Sequence, residues 1–85
     1  MKTFTDKVLN IVKKIPKGQT MSYKEVAQKA GNINASRVVG NIMENNFRPD
    51  VPCHRVICSN GKIGEYNRGG VDVKKALLKR EGVSF

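Results

Sequence analysis

Ser22-Tyr23-Lys24-Glu25-Val26-Ala27-Gln28-Lys29-Ala30-Gly31-Asn32-Ile33-Asn34-Ala35-Ser36-Arg37-Val38-Val39-Gly40 reads as two short helices around one glycine. Ser22 followed three residues later by Glu25 is a capping box, so a helix starts there and runs from about Tyr23 to Ala30. Gly31 stops it. Asn34 is the predicted cap of a second helix, about Ala35 to Glu44. Two short helices joined by a tight turn containing glycine form the helix-turn-helix pattern. In the second helix Ala35, Val38, Val39, Ile42 and Met43 form the expected inward stripe. Ser36, Arg37, Gly40, Asn41 and Glu44 face the other way. Gly40 costs about 1 kcal/mol relative to alanine in a helix interior. Either another helix packs against it, or something from outside approaches the backbone closely.

Upstream, Phe4, Val8, Leu9, Val12 and Ile15 recur at helical spacing, with Thr3 as the predicted N-cap and Pro16 and Gly18 as terminators. Downstream, residues 45–52 are polar and broken by Pro49 and Pro52, which predicts a loop. Val56-Ile57 and Lys62-Ile63 flank Asn60-Gly61, a hairpin turn signal. The expectation is a two-stranded ribbon like the wing of a winged helix. Asp72 is the predicted cap of a last helix, about Val73 to Glu81, closed by Gly82. The fold class expected is therefore mostly α with a small β-ribbon, a winged helix-turn-helix-like domain. Residues 1–85 read as a single unit without linker or repeat.

The charge balance names a class of partner. Sixteen Lys and Arg against seven Asp and Glu give +9 over 85 residues, the footprint of a nucleic-acid binder. No apolar run approaches the roughly 18 residues that cross a bilayer. The start, Met1-Lys2-Thr3-Phe4-Thr5-Asp6, lacks the apolar stretch of a signal peptide, so the expected place is the cytoplasm or nucleoid. In that reducing setting Cys53 and Cys58 stay thiols. One His and two Cys fall short of the four or so ligands of a zinc site, so neither metal nor cofactor is expected.

Chemistry concentrates at Pro52-Cys53-His54-Arg55-Val56, which sets the only histidine beside a cysteine. A thiol reacts as its thiolate, and an imidazole or cation nearby favours that form. Adjacent residues on a strand point to opposite faces. Cys53 and His54 can therefore cooperate only if Pro52 sets a tight turn or a water bridges them. The competing reading is a buried structural cysteine beside a capping histidine, with Arg55 in an ion pair that holds the loop. Glu81 lies in the last turn of its helix, where a carboxylate opposes the macrodipole by about 0.3–1 kcal/mol. Either it sits exposed beside Lys79 and Arg80, or it pairs with His54 in a Cys-His-Glu relay.

These blocks together resemble the active-site half of the O6-alkylguanine-DNA alkyltransferases. The likeness runs through Ser22-Tyr23-Lys24-Glu25-Val26-Ala27, Ser36-Arg37-Val38-Val39-Gly40, Pro52-Cys53-His54-Arg55-Val56, Gly64-Glu65-Tyr66 and Glu81-Gly82. It implies direct-reversal repair: minor-groove binding of duplex DNA by a monomer, extrusion of the damaged nucleotide, and irreversible transfer of a methyl or alkyl group from O6 of guanine to Cys53. O4 of thymine is a further candidate position. By the same resemblance His54 is the base acting through water, and Glu81 is its carboxylate partner. Tyr23 helps turn the nucleotide out and protonates the leaving guanine, and Arg37 inserts into the stack. Ser36, Gly40 and Asn41 share its DNA-facing helix. Pro52, Arg55 and Val56 shape the active-site loop, tethered by Asn45 or its neighbour Asn46. Without the resemblance, Tyr23 reads by default as a core aromatic near a helix start.

Larger members of the resembled family carry an N-terminal companion domain that is not expected here. The loop Asn67-Arg68-Gly69-Gly70 also looks one residue longer than the family's. The alternative function is an alkyltransferase-like protein that recognises damage without transferring it. Such proteins typically replace the cysteine, and this chain keeps Cys53. A winged-helix regulator with an incidental Cys-His pair would leave the placing of Tyr23, Arg37 and Glu81 unexplained.

Overall fold

The computed structural model describes residues 3–46, 48, 50–59, 63–64 and 69–83. Helix α1 spans Phe4–Lys13. The Thr3 hydroxyl accepts the Asp6 N–H at 3.1 Å, and the Asp6 carboxylate accepts the Thr3 N–H at 3.3 Å. Strand β1, Met21–Ser22, leads directly into α2, Tyr23–Lys29. The expected capping box is formed there, with Glu25 N–H on Ser22 Oγ at 3.0 Å and Ser22 N–H on Glu25 Oε1 at 3.2 Å.

The turn after α2 needs a glycine. Gly31 has φ +101, a region that costs a side chain energy. Asn32 N–H then reaches back to the Ala27 carbonyl at 3.0 Å and Gly31 N–H to that of Gln28 at 3.1 Å. These bonds satisfy carbonyls that the helix end leaves open. Helix α3, Ser36–Glu44, follows at once and packs against α2. Its N-cap is Ala35, without a side-chain bond, and not the expected Asn34. Asn32 occupies the turn instead, its Oδ1 accepting the Asn34 N–H at 3.1 Å and its carbonyl the Ala35 N–H at 3.1 Å.

The core lies where α1, α2 and α3 meet. Val8, Val12, Ile15, Val26, Ala27, Ala30, Ala35, Val39 and Met43 are buried together, with Val51, Cys53 and Val56 of the following segment. Val38 departs from the expected stripe and is 47% exposed. The buried face of α3 is the narrower series Ala35, Val39, Met43. Val38, one residue and about 100° around the helix from Val39, lines a groove with Thr5, Leu9 and Ile42.

After the loop, a 3₁₀ turn at Cys53–Arg55 runs into strand β2, Val56–Ile57. Among the described residues the partner of β2 is not the expected hairpin strand. Strands β1 and β2 pair in parallel, Met21 against Val56 and Ser22 against Ile57. Asn60, Gly61 and Lys62 lie outside the described residues, and Ile63 is buried without strand structure. The parallel pair ties the Cys53–Arg55 turn to the entrance of α2, a link that no local turn signal can announce.

Helix α4 spans Gly70–Arg80, three residues earlier than expected. Its N-cap is Gly69 at φ +122, where a Cβ would come within 2.7 Å of Val73. Asp72 is not the cap; it sits in the first turn, where its charge favours the macrodipole.

The capping box at Ser22 closes both α2 and the β1 end of the sheet. Ser22→Ala should lower unfolding free energy by about 1 kcal/mol in urea titration. An unchanged midpoint would show that the box contributes nothing.

Candidate active site

Pro52 (φ −80, ψ 70) turns the chain out of its loop into the 3₁₀ turn. Cys53 N–H binds the Val51 carbonyl at 2.9 Å and Arg55 N–H that of Pro52 at 3.0 Å. The segment is thus a tight turn and not a strand at Cys53 and His54, so the alternation that would part their side chains does not apply. Cys53 is buried.

The side chains of His54 and Arg55 converge on one carboxylate. His54 Nε2 lies 2.9 Å from Glu81 Oε2. Arg55 donates Nε to Glu81 Oε1 at 2.9 Å and Nη2 to Oε2 at 2.7 Å, and its Nη1 to the Ile15 carbonyl at 2.9 Å. The Arg55 fork is bidentate, the strongest form of such a pair. It joins the segment just after α1, the Cys53–Arg55 turn and the end of α4. Glu81 side-chain exposure is only 11%. The Arg55 guanidinium holds its carboxyl down to about 2, with the His54 bond adding to the effect and burial opposing it. Glu81 raises the Arg55 pKa in return. Both alternatives for Glu81 and Arg55 are therefore resolved in geometry: the carboxylate is paired, and one ion pair does hold the loop.

Tyr23 opens α2, half-buried against the core. Its hydroxyl lies beside Gly64, where an added Cβ would meet Cys58 Sγ at 3.2 Å, Tyr23 Oη at 3.5 Å and Lys74 Nζ at 3.6 Å. Lys74, on α4, is wholly buried, with Nζ 5.7 Å from the centre of the Tyr23 ring. Sequence reasoning missed it. The available signal was its i, i+4 relation to Leu78, which puts both on the buried face of α4.

Ser36, Arg37, Gly40 and Asn41 lie along the other side of α3. Arg37 and Asn41 are exposed, and Ser36 and Gly40 are partly so. A Cβ on Gly40 would meet nothing within 4 Å, so among the described residues no helix packs there and the backbone faces open space. The two neighbouring asparagines separate clearly. Asn45 is exposed, its Nδ2 bonded to the Asn41 carbonyl at 2.8 Å. Asn46 is buried, and its Oδ1 accepts the Arg48 N–H at 3.2 Å, so the loop is gathered on Asn46. Val56 is buried in the core and Pro52 half-buried.

Among the described residues no group of three or more His, Cys, Asp or Glu is placed to hold a metal, and no helix is long and apolar enough to cross a membrane.

Glu81 has a lowered folded-state pKa, so its contribution to stability is present above about 4.5 and is lost as pH falls toward about 2. Urea midpoints should fall across that window, and the fall should be smaller in Glu81→Gln. Other acids, such as Asp50, titrate alike in both chains. Parallel pH curves would mean that Arg55 does not hold Glu81.

A family model described as "6-O-methylguanine DNA methyltransferase, DNA binding domain" matches residues 3–83. The methylated-DNA–protein-cysteine methyltransferase of Cricetulus griseus is 49% identical over 83 residues, covering 95% of this chain and 40% of that protein. The chain thus spans less than half the length of this relative. The Mycobacterium tuberculosis OGT, solved in complex with DNA, superposes with a TM-score of 0.88 at 40% identity, covering 96% of this chain and 50% of that one. Atl1 of S. pombe, solved with damaged DNA containing O6-carboxymethylguanine, superposes with a TM-score of 0.86 at 34% identity, covering 99% and 82%.

Proposed function

The chain belongs to the 6-O-methylguanine DNA methyltransferase family, and from that premise we propose that it repairs alkylated DNA by accepting the alkyl group on Cys53. The observation that carries the reading is the convergence of His54 and Arg55 on Glu81, directly after the buried sulfur.

With His54 Nε2 turned to Glu81, the carboxylate accepts that N–H and Nδ1 is the basic nitrogen. Nδ1 takes the Cys53 proton through a water, and Glu81 stabilises the imidazolium. The thiolate attacks the alkyl carbon on O6 of guanine. The S–C bond forms as the C–O6 bond breaks, and the electron pair leaves with the purine. Tyr23 returns a proton to the leaving guanine. A thioether is a poor leaving group, so each chain acts once. O4 of alkylated thymine presents the same chemistry.

Access requires the nucleotide to leave the stack. The open face of α3 supplies the contact: Arg37 enters the space of the extruded base, while Ser36, Gly40 and Asn41 let the duplex approach the backbone in the minor groove. Of the two candidates for the tether between this helix and the Cys53 turn, Asn45 and Asn46, burial favours Asn46. One monomer, acting at the chromosome, carries both DNA contact and acceptor within residues 3–83. The +9 charge supports binding that weakens steeply with salt.

The likeness to Atl1 favours a second reading, recognition without transfer; the retained Cys53 sulfur speaks for transfer. Incubation with a duplex carrying O6-methylguanine should add one methyl to the peptide holding Cys53, read by mass, and Cys53→Ala should abolish the gain while keeping binding. Methyl on Cys58, or none with binding intact, would defeat the acceptor assignment. Arg37→Ala should weaken binding to damaged duplex about tenfold, ~1.4 kcal/mol, and by more than Lys7→Ala. Equal losses would remove Arg37 from the stack.

A further inference from the structure

The periodicity of α3 counts Val38 with the core, yet the structure leaves it 47% exposed. Among the described residues it is the one large apolar side chain of α3 in the exposed class. It does not favour the helix, because a β-branched residue is a poorer helix former than alanine. It adds little to the core, which α3 enters through Ala35, Val39 and Met43.

A lone exposed apolar residue is ordinary, but Val38 has company. With Leu9 and Ile42 it forms the apolar part of a groove between α1 and α3, and Asn41 borders that groove. At about 100° per residue, Arg37, Asn41 and Val38 fall within one arc of about 100° around α3. All three are exposed. Arg37 and Asn41 belong to the face proposed to enter the minor groove, so the apolar groove continues that face without a break. The occupant it fits is the same duplex. The charge of +9 suits that occupant and opposes a second copy of this chain.

The floor of the minor groove differs between base pairs in one group. A·T and T·A show only acceptors there, and G·C adds the amino group on C2 of guanine. An isopropyl group accepts no hydrogen bond. An amino group covered by Val38 loses its water and gains no partner, which is the costly way to bury a donor. A pair without that amino group gives the methyl groups a flat surface to pack on.

We propose that Val38 is a specificity-determining residue, its methyl groups selecting, beside the damaged guanine, a base pair that carries no amino group in the minor groove. The inference rests on the reading that α3 enters the minor groove, and extends it from where the chain binds to which flanking sequence it repairs best.

Duplexes carrying O6-methylguanine test it when they differ at one flanking pair: A·T, inosine·C, G·C or 2,6-diaminopurine·T, placed in turn on each side of the lesion. The first two lack the minor-groove amino group and the last two carry it. Affinity is read by fluorescence anisotropy on the Cys53→Ala chain, so that transfer does not consume the complex. On one flank, pairs without the amino group should bind roughly tenfold tighter. Those with it also hold one more hydrogen bond to their partner base, so the comparison that decides is with Cys53→Ala/Val38→Ala. Val38→Ala removes an exposed side chain and favours the helix, so the fold is kept. It should bring the tenfold ratio close to one. Equal ratios with and without Val38 would overturn the proposal, as would a preference for the amino-bearing pairs, which would make the Asn41 amide the reader. Uracil in place of a flanking thymine alters only the major groove. A response to uracil, with none to the amino group, would overturn the minor-groove reading itself.

Discussion

One carboxylate, Glu81, holds the site in shape. It accepts both nitrogens of the Arg55 fork and faces the His54 ring, while Arg55 adds the Ile15 carbonyl. The segment just after α1, the end of α4 and the Cys53–Arg55 turn are thereby locked to one another. A buried ion pair is stabilising only when its geometry is good and its remaining polar atoms are bonded. Here the pair is bidentate and the histidine shares the same oxygen, which sets the ring's direction as well as its partner. Gly18 belongs to this arrangement too. At φ +90, an added Cβ would lie 3.1 Å from the Glu81 carbonyl, so the turn between α1 and β1 closes tightly on the end of α4.

The rest of the fold separates what must be rigid from what must be approached. Three helices bury one face each around Val8, Val26 and Val39. The opposite side of α3 is left small and open around Gly40. The parallel β1–β2 pair then joins the two ends of the proposed chemistry. Tyr23 follows β1 directly and Cys53 precedes β2 by three residues, so pairing Met21 with Val56 brings the backbones of the two segments together.

What could be read from sequence was what is decided locally. The Thr3 and Ser22 caps, the Gly31 stop and the Pro52 turn each depend on a few adjacent residues, and the structure forms all four. Local reasoning failed where neighbours compete or partners are distant. Ala35 took the N-cap place expected for Asn34, with Asn32 bonding the turn, and Gly69 displaced Asp72 at the start of α4. Among the described residues Val56 pairs with Met21, a partner distant in sequence. Val38 stayed outside because burial depends on which helices cover α3, which periodicity does not state. At the site, pairing of Glu81 with His54 was an open alternative resting on the odd position of a carboxylate at a helix end. That Arg55 shares it, that Asn46 and not Asn45 is buried, and that Lys74 lies under Tyr23 all depend on three-dimensional packing. A lysine reads as a solvated charge until the structure removes the solvent.

The central claim is a sulfur acceptor that works once. Its most direct measure is stoichiometry: a limiting amount of the chain mixed with excess duplex bearing O6-methylguanine, with restored guanine counted by nucleoside analysis after prolonged incubation. The account predicts a plateau at one guanine restored per chain. Continued turnover, or bound duplex with no guanine restored, would contradict it.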